Sequence, residues 1–217
     1  MRTELETIRR WYEYNSYVRK RYLDAMFRKI PASVRYRETG ASFPSVVQIF
    51  VHVLDAYRWW FTYVCEDRLS EYQSRRAKIR TKSEVTEEEK IVDSLVANFV
   101  RRLNDRDLDR VLRFRNGRVV ETVRLGDMLH HMVDEELQHR GEINALFWQR
   151  DINPPVIGFH EWVRKLHLEG SAASQRMGKP SGRSERHLTS LGTRLASHEK
   201  TPAKRLITGG SSITCVT

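Results

Sequence analysis

The sequence predicts an all-α fold, a four-helix bundle with a short hairpin or loop between the third and fourth helices. Four long segments of the 217-residue chain repeat apolar residues at intervals of three or four, which is typical of amphipathic helices. Turn-forming or charged segments separate these repeats. Four amphipathic helices bury their apolar stripes most simply against one another, so a bundle is the predicted architecture.

The first helix is predicted over residues 4–29, which contain no Pro or Gly. Apolar residues such as Ile8 and Trp11 recur along it at helical spacing, and Pro31 closes it. Asn15 is the polar member of this stripe. It either faces a cavity or forms a hydrogen-bonded amide in the core.

The second helix is predicted from Val46 to about Cys65, after the turn-like segment "RETGASFPS". Ser42 or Ser45 could cap its first turn. Its wide apolar face indicates a central position in the bundle. His52 lies one residue from that face.

The third helix follows a charged linker over residues 66–83. The sequence "TEEE" offers a capping box, with Thr86 as the cap and Glu89 three residues later. A regular apolar stripe then predicts a helix that ends near Leu108.

A hairpin or extended loop is predicted over residues 111–123, where apolar and polar residues alternate around Asn116 and Gly117. Asn-Gly suits the left-handed conformations of a tight hairpin turn. The fourth helix is predicted from Leu125 to about Arg150, where the sequence "DINPP" stops it.

Composition divides the chain into a helical domain, residues 1–168, and a basic tail, residues 169–217. The tail lacks Phe, Trp and Tyr, is rich in Gly and Ser, and carries half of the formal net charge of +10. Such a segment cannot bury enough apolar surface to offset its ordering entropy, so it is predicted to be disordered. No DNA- or RNA-binding motif accompanies this charge, and nucleic-acid binding is not expected.

The two cysteines, Cys65 and Cys215, are far apart, which argues against a disulfide framework. The first residues lack the apolar run of a signal peptide. No stretch approaches the roughly 20 apolar residues that span a bilayer. A cytoplasmic protein without membrane association is therefore expected.

A cluster of potential metal ligands lies on the predicted fourth helix, where His131, Glu135 and His139 are spaced four residues apart. Adjacent helical turns bring such donors within reach of one divalent ion. His52 is the natural ligand from another helix, since no other histidine precedes residue 160 outside the fourth helix. Glu136 falls nearer the buried midline of this helix than Glu135 does, and either carboxylate could reach a site at the helix edge.

Three segments resemble the DinB/YfiT-like superfamily. The sequence "HHMVDEELQHRGEINALFWQRDINPP" resembles its fourth helix, which shows a His, three residues and then His-Arg-Gly-Gln/Glu before an apolar run and a Pro-containing exit. The sequences "YNSYVRKRYLDAMFRKIP" and "SFPSVVQIFVHVLDAYRWW" resemble its first and second helices. The resemblance covers roughly residues 8–162 and omits the tail.

The resemblance implies a homodimeric all-α bundle that holds a divalent metal. His52 matches the ligand of helix two and His139 the last ligand of helix four, while Glu135 occupies the middle position, where the family usually has His. Two histidines and one glutamate suit Zn²⁺, Ni²⁺, Mn²⁺ or Fe²⁺. The departure at Glu135 leaves open whether the metal is retained, and His131 is the reserve ligand or a partner of a ligand.

Two functions follow from the resemblance. One is a metal-dependent thiol S-transferase that joins a low-molecular-weight thiol, such as bacillithiol, to a small electrophile; no separate general base can be named. The alternative is a non-catalytic, stress-associated helical scaffold or ligand-binding dimer without metal. Trp59 and Trp60 either wall a pocket or belong to the core.

Overall fold

The computed structural model describes residues 2–155 and 157–177 and confirms a mostly helical fold. Among these residues the only sheet is one small antiparallel hairpin, which supports the all-α prediction. The helices are α1 Glu4–Lys29, α2 Ala32–Arg35, α3 Val46–Arg58, α4 Lys82–Arg102, α5 Leu125–Trp148 and α6 Phe159–Met177. The strands are β1 Val111–Asn116 and β2 Val119–Arg124.

Helix α1 has the predicted limits because a capping box marks its start and a proline follows its end. The Thr3 hydroxyl accepts a hydrogen bond from the Glu6 backbone N–H, and the Glu6 carboxylate accepts one from the Thr3 N–H. This reciprocal capping box satisfies two backbone donors that a helix start leaves unpaired. The helix ends at Lys29, two residues before Pro31.

Helix α3 begins at Val46 as predicted, and Ser45 is its cap, since the Ser45 hydroxyl accepts from the Gln48 N–H. The α-helical pattern ends at Arg58. The chain continues to Val64 as a π-helix, Trp59–Val64, which the apolar periodicity did not predict. A π-helical turn widens the helix and re-aims its side chains, and such turns are frequent at functional sites.

Helix α4 begins five residues earlier than predicted, because Thr81 and Glu84 form its capping box. The predicted cap, Thr86, is wrong: it lies inside the helix and its hydroxyl donates to the Lys82 carbonyl. The sequence contains Thr-x-x-Glu twice, and the buried Val85 extends the apolar stripe towards the earlier copy.

The predicted end of this helix near Leu108 is also wrong, because α4 ends at Arg102 and Leu108 lies in a separate 3₁₀ turn, Asp105–Asp109. The hairpin prediction is confirmed by the pairing of β1 with β2. Gly117 adopts a φ of 61° in its turn, a left-handed conformation that costs glycine little.

Helices α1, α3, α4 and α5 surround a shared core, with contacts between α1 and α4, α1 and α5, α3 and α4, and α3 and α5. Large side chains at its centre are fully buried, including Tyr22, Tyr57, Phe61 and Phe147. Asn15 is also buried, and its Oδ1 accepts from Arg140 at 3.4 Å, whereas its Nδ2 has no hydrogen-bond partner among the described residues. It is therefore a core amide that is only partly satisfied.

Helix α6 was not predicted, and the predicted boundary at residue 168 falls inside it. Its Trp162 is buried, and Phe159 stacks on Trp11 of α1 with ring centroids 4.1 Å apart. The chain through Ser174 forms one compact unit. The predicted tail, residues 169–217, lies mostly outside the described residues. Among the described residues, no helix has the length and apolar character needed to cross a bilayer.

Candidate metal centre

The structure brings the three sequence-predicted ligands together where α3 packs against α5. His52 lies in the middle of α3, and Glu135 and His139 lie one turn apart on α5. Glu135 Oε1 is 2.9 Å from His52 Nε2 and 3.2 Å from His139 Nε2. The three potential ligand atoms lie within 4.8 Å of one another, so one divalent ion could contact all three.

Helix phase separates these residues from the neighbouring candidates. His131, the reserve ligand, is not part of the three-residue cluster. It is exposed and packs against Trp60 in a T-shaped contact, with ring centroids 5.8 Å apart. Glu136 turns into the core, where its carboxylate accepts from Arg19 at 2.8 Å and from the Tyr57 hydroxyl at 2.7 Å. Of the two adjacent glutamates, Glu135 is therefore the one that faces the histidines.

The electrostatics of the cluster favour the protonation states that metal ligands require. Burial lowers the pKa of His52, against the opposing influence of Glu135. For Glu135, burial opposes ionisation, but the His52 hydrogen bond and the neighbouring His139 outweigh it and lower the pKa. Glu135 is therefore ionised and His52 neutral at neutral pH, so few protons must leave when a cation binds.

The loop before α3 covers the histidine pair, a feature that the sequence did not reveal. The Phe43 ring stacks on His52 at 4.1 Å and lies 5.6 Å from His139. His139 Nδ1 is buried and has no hydrogen-bond partner in the part of the chain that the structure describes, although Glu142 Oε2 lies 3.6 Å away. Ser42 donates to that same carboxylate. A His139 bound through Nε2 would carry a proton on Nδ1, for which Glu142 is the adjacent acceptor.

Arg76, from the loop between α3 and α4, contacts the other side of His52, with Nη1 3.4 Å from His52 Nδ1. Because arginine only donates, His52 Nδ1 accepts here and Nε2 carries the proton shared with Glu135. Metal binding through Nε2 needs the opposite tautomer. The donor set thus fits a divalent ion. The contact between Arg76 and His52 Nδ1 would have to break when the ion binds.

A pocket of about 220 Å³ opens beside the cluster. Its walls include His52, Glu135, Trp59, Trp60 and Arg76. The interpretation of the two tryptophans as pocket walls is therefore supported, although both also contact the hairpin residue Phe114 at 5.3 Å. A larger cavity, about 480 Å³, lies between α1 and α4 and includes none of the three candidate ligands.

Burial raises the pKa of Cys65 to about 12, so this thiol keeps its proton at neutral pH. Cys65 also lies outside the pocket beside the cluster. The cysteine described by the structure therefore does not supply a thiolate nucleophile to this site.

The sequence profile of the DinB family matches residues 1–174. The matched range contains all three residues of the candidate centre. A search of curated proteins finds no match to the chain.

Proposed function

The chain belongs to the DinB family, and we propose that it binds one divalent metal ion through His52, Glu135 and His139. The observation that carries this proposal is the convergence of their donor atoms within 4.8 Å across two helices. We propose further that α1, α3, α4 and α5 are the four helices of a DinB-type bundle, in which α3 and α5 hold the metal.

The donor set supports a metal with open coordination positions. Two imidazoles and one carboxylate suit Zn²⁺, Ni²⁺, Mn²⁺ or Fe²⁺, and three protein ligands leave room for another ligand. The pocket beside the cluster reaches two of the three ligands, His52 and Glu135. A small molecule in that pocket would therefore lie next to the ion.

Within this site we propose a metal-dependent thiol S-transfer reaction that uses a low-molecular-weight thiol such as bacillithiol. A bound divalent ion lowers the pKa of a thiol and thereby supplies a nucleophile at neutral pH. The thiol sulfur would form a bond to an electrophilic carbon, the leaving group would depart with its bonding electrons, and the thiol proton would pass to solvent. The small-molecule thiol follows from the family resemblance, and Cys65, whose pKa is raised by burial, does not compete for this role.

Elemental analysis of the purified chain tests the metal. About one equivalent per chain is expected in the native protein and in His131→Ala, which leaves the three ligands intact. His52→Ala and His139→Ala should lose most of it, because two remaining donors hold a divalent ion weakly. Equal metal content in all four proteins would contradict the proposed ligands.

The reaction is tested separately, by incubating metal-loaded protein with bacillithiol, mycothiol or glutathione and a panel of electrophiles. Conjugate formation that depends on His52 and His139 is expected, with His131→Ala as the matched control. If the protein holds stoichiometric metal but no pair of thiol and electrophile is conjugated, the proposed metal site stands and the proposed S-transfer reaction is wrong.

The contact of Arg76 with His52 Nδ1 favours a second candidate, a non-catalytic helical scaffold without metal. In that state Glu135 Oε1 accepts a hydrogen bond from Nε2 of each histidine, as the distances of 2.9 and 3.2 Å allow. Absence of metal after purification without chelators would select it. The homodimer implied by the family resemblance is proposed for either candidate, and light scattering of the full chain tests it.

A further inference from the structure

We propose that the pocket beside the metal centre binds a small aromatic carboxylate, and that Arg76 and the bound metal together provide its affinity. This inference rests on the proposed metal site. Beyond the metal site, the ligand is specified as flat and anionic, and Arg76 is the residue that recognises it. The pocket, the state of Arg76 and the local charge balance each support it.

Arg76 is available to a ligand because its nearest carboxylate is already satisfied. Asp55, which is 6 % exposed, accepts from the Tyr72 hydroxyl at 2.6 Å and from the Ser74 hydroxyl at 2.7 Å. Arg76 Nε donates to the Ser74 hydroxyl at 3.3 Å and stays 3.6 Å from Asp55, beyond a normal hydrogen bond. Among the described residues, Arg76 Nη2 makes no hydrogen bond, and 38 % of the side chain is exposed. The Nη2 side of the Arg76 guanidinium can therefore still donate to a carboxylate.

Among the described residues, Arg76 Nη1 contacts one side-chain acceptor, and metal binding would remove it. That acceptor is His52 Nδ1, at 3.4 Å. A neutral histidine that binds a cation through Nε2 carries its proton on Nδ1 and cannot accept there. Metal binding thus leaves the Arg76 guanidinium with more donors for an incoming anion.

The walls of the pocket select a flat apolar body. Trp59 and Trp60 pack edge to face with centroids 4.5 Å apart and both line the pocket. Aromatic walls gain most from a ring that meets them in stacked or edge-on contact. The volume of about 220 Å³ is below the roughly 300–1,000 Å³ of pockets for drug-sized ligands. A single ring with one acidic substituent therefore suits the space.

The charge of the pocket makes carboxylate binding depend on the metal. Without metal, two carboxylates, Glu135 and Asp55, face one guanidinium, Arg76, so negative charge is in excess. A bound divalent ion would make the net charge of the pocket positive. An anion is therefore disfavoured in the metal-free chain and favoured in the loaded one.

Calorimetric titration of the full chain with benzoate, after elemental analysis, tests this coupling. Benzoate is expected to bind zinc-loaded protein at least about tenfold more tightly than chelator-treated protein, since the charge in the pocket changes sign. Benzamide, which has the same ring and no charge, should show no such preference. Binding should also change the tryptophan fluorescence, because Trp59 and Trp60 form the walls.

Variants separate Arg76 from the metal as the recognising group. Arg76→Gln should weaken benzoate binding to loaded protein by at least about tenfold, as expected for loss of a charge-assisted hydrogen bond. Lys78→Gln removes the same charge from the same loop, but Lys78 does not line the pocket, and it should change the affinity less than about twofold. Metal content is measured for each variant.

Each contrary outcome has a distinct meaning. Stoichiometric zinc with equal affinity for benzoate and benzamide overturns the inference and leaves the proposed metal site intact. Unchanged benzoate affinity in Arg76→Gln overturns the role of Arg76, and so does a loss of zinc in that variant. Failure of the native protein to hold zinc or any other divalent metal overturns the proposed function, and the inference with it.

Discussion

Replacing Glu135 by alanine is expected to abolish the stabilisation that a divalent metal gives to the folded chain. A ligand that binds only the folded state adds RT ln(1 + [L]/Kd), or about 2.7 kcal/mol at a concentration of 100 Kd. For a chain of this size, about 1 kcal/mol shifts Tm by roughly 2–4 °C. The native protein should therefore gain about 5–11 °C from saturating metal.

The geometry indicates why Glu135 should carry this effect. Its Oε1 is the shared neighbour of both imidazoles, at 2.9 and 3.2 Å, and it supplies the one negative charge of the ligand set. Alanine leaves two neutral nitrogens with no charge to offset the cation. Glu135→His, which restores the usual family residue, keeps three donors and should keep most of the metal-dependent shift.

The assay is thermal unfolding of each variant with chelator and with rising zinc concentration. His131→Ala is the matched control on the same helix and should behave like the native chain. In chelator, Glu135→Ala should lose only about 1–2 kcal/mol, the net value of two hydrogen bonds at a partly exposed site. A zinc-dependent shift of native size in Glu135→Ala would refute the reasoning, and so would the absence of any shift in the native protein.

Three further predictions concern the core and Arg76. Arg19→Met should destabilise the fold by about 3–5 kcal/mol, because the Glu136 carboxylate then stays buried without a cation; urea unfolding should show recovery when Glu136→Gln is added. Burial raises the pKa of Glu89 against the opposing influence of Arg19. The favourable contribution of Glu89 to the free energy of unfolding is therefore complete below about pH 4.5 and is lost as pH rises through the folded-state pKa. Glu89→Gln should therefore gain stability relative to the native chain between pH 4.5 and 8, and a constant difference over that range would contradict this. Arg76→Gln should bind zinc at least as tightly as the native chain, because a glutamine oxygen can accept from His52 Nδ1–H; competition with a chromogenic chelator measures this affinity, and a clear loss would contradict the tautomer argument.

The elements with strong end signals could be predicted almost residue by residue. Helix α1 has its limits between Thr3 and Pro31, and α5 has the predicted start at Leu125. The start of α4 could not be chosen, because Thr81 and Thr86 both precede a glutamate by three residues. Their local chemistry is the same, and burial of the intervening turn decides between them.

The three candidate ligands could be named because they follow helical spacing, whereas the side chains around them could not. Phe43 and Arg76 come from loops, where no period relates sequence to position. Both reach His52 only because the chain folds over α3 from two directions. The π-helical turn that places Trp59 beside the pocket has the same apolar pattern as an ordinary helix. These parts of the site depend on tertiary packing.

The adjacent residues Glu135 and Glu136 on α5 have different roles. Glu136 is anchored in the core, and its anchoring helps to place Glu135. Glu136 is held in the core by Arg19 of α1 and by the Tyr57 hydroxyl of α3, both within 2.8 Å. These contacts from two other helices and the buried apolar face of α5 together hold the helix at one rotation about its axis. Successive residues on a helix differ by about 100°, so the same rotation directs Glu135 to the helix edge that faces His52. The buried ion pair thus supports the candidate metal centre by orienting a helix, without contacting the ligand atoms.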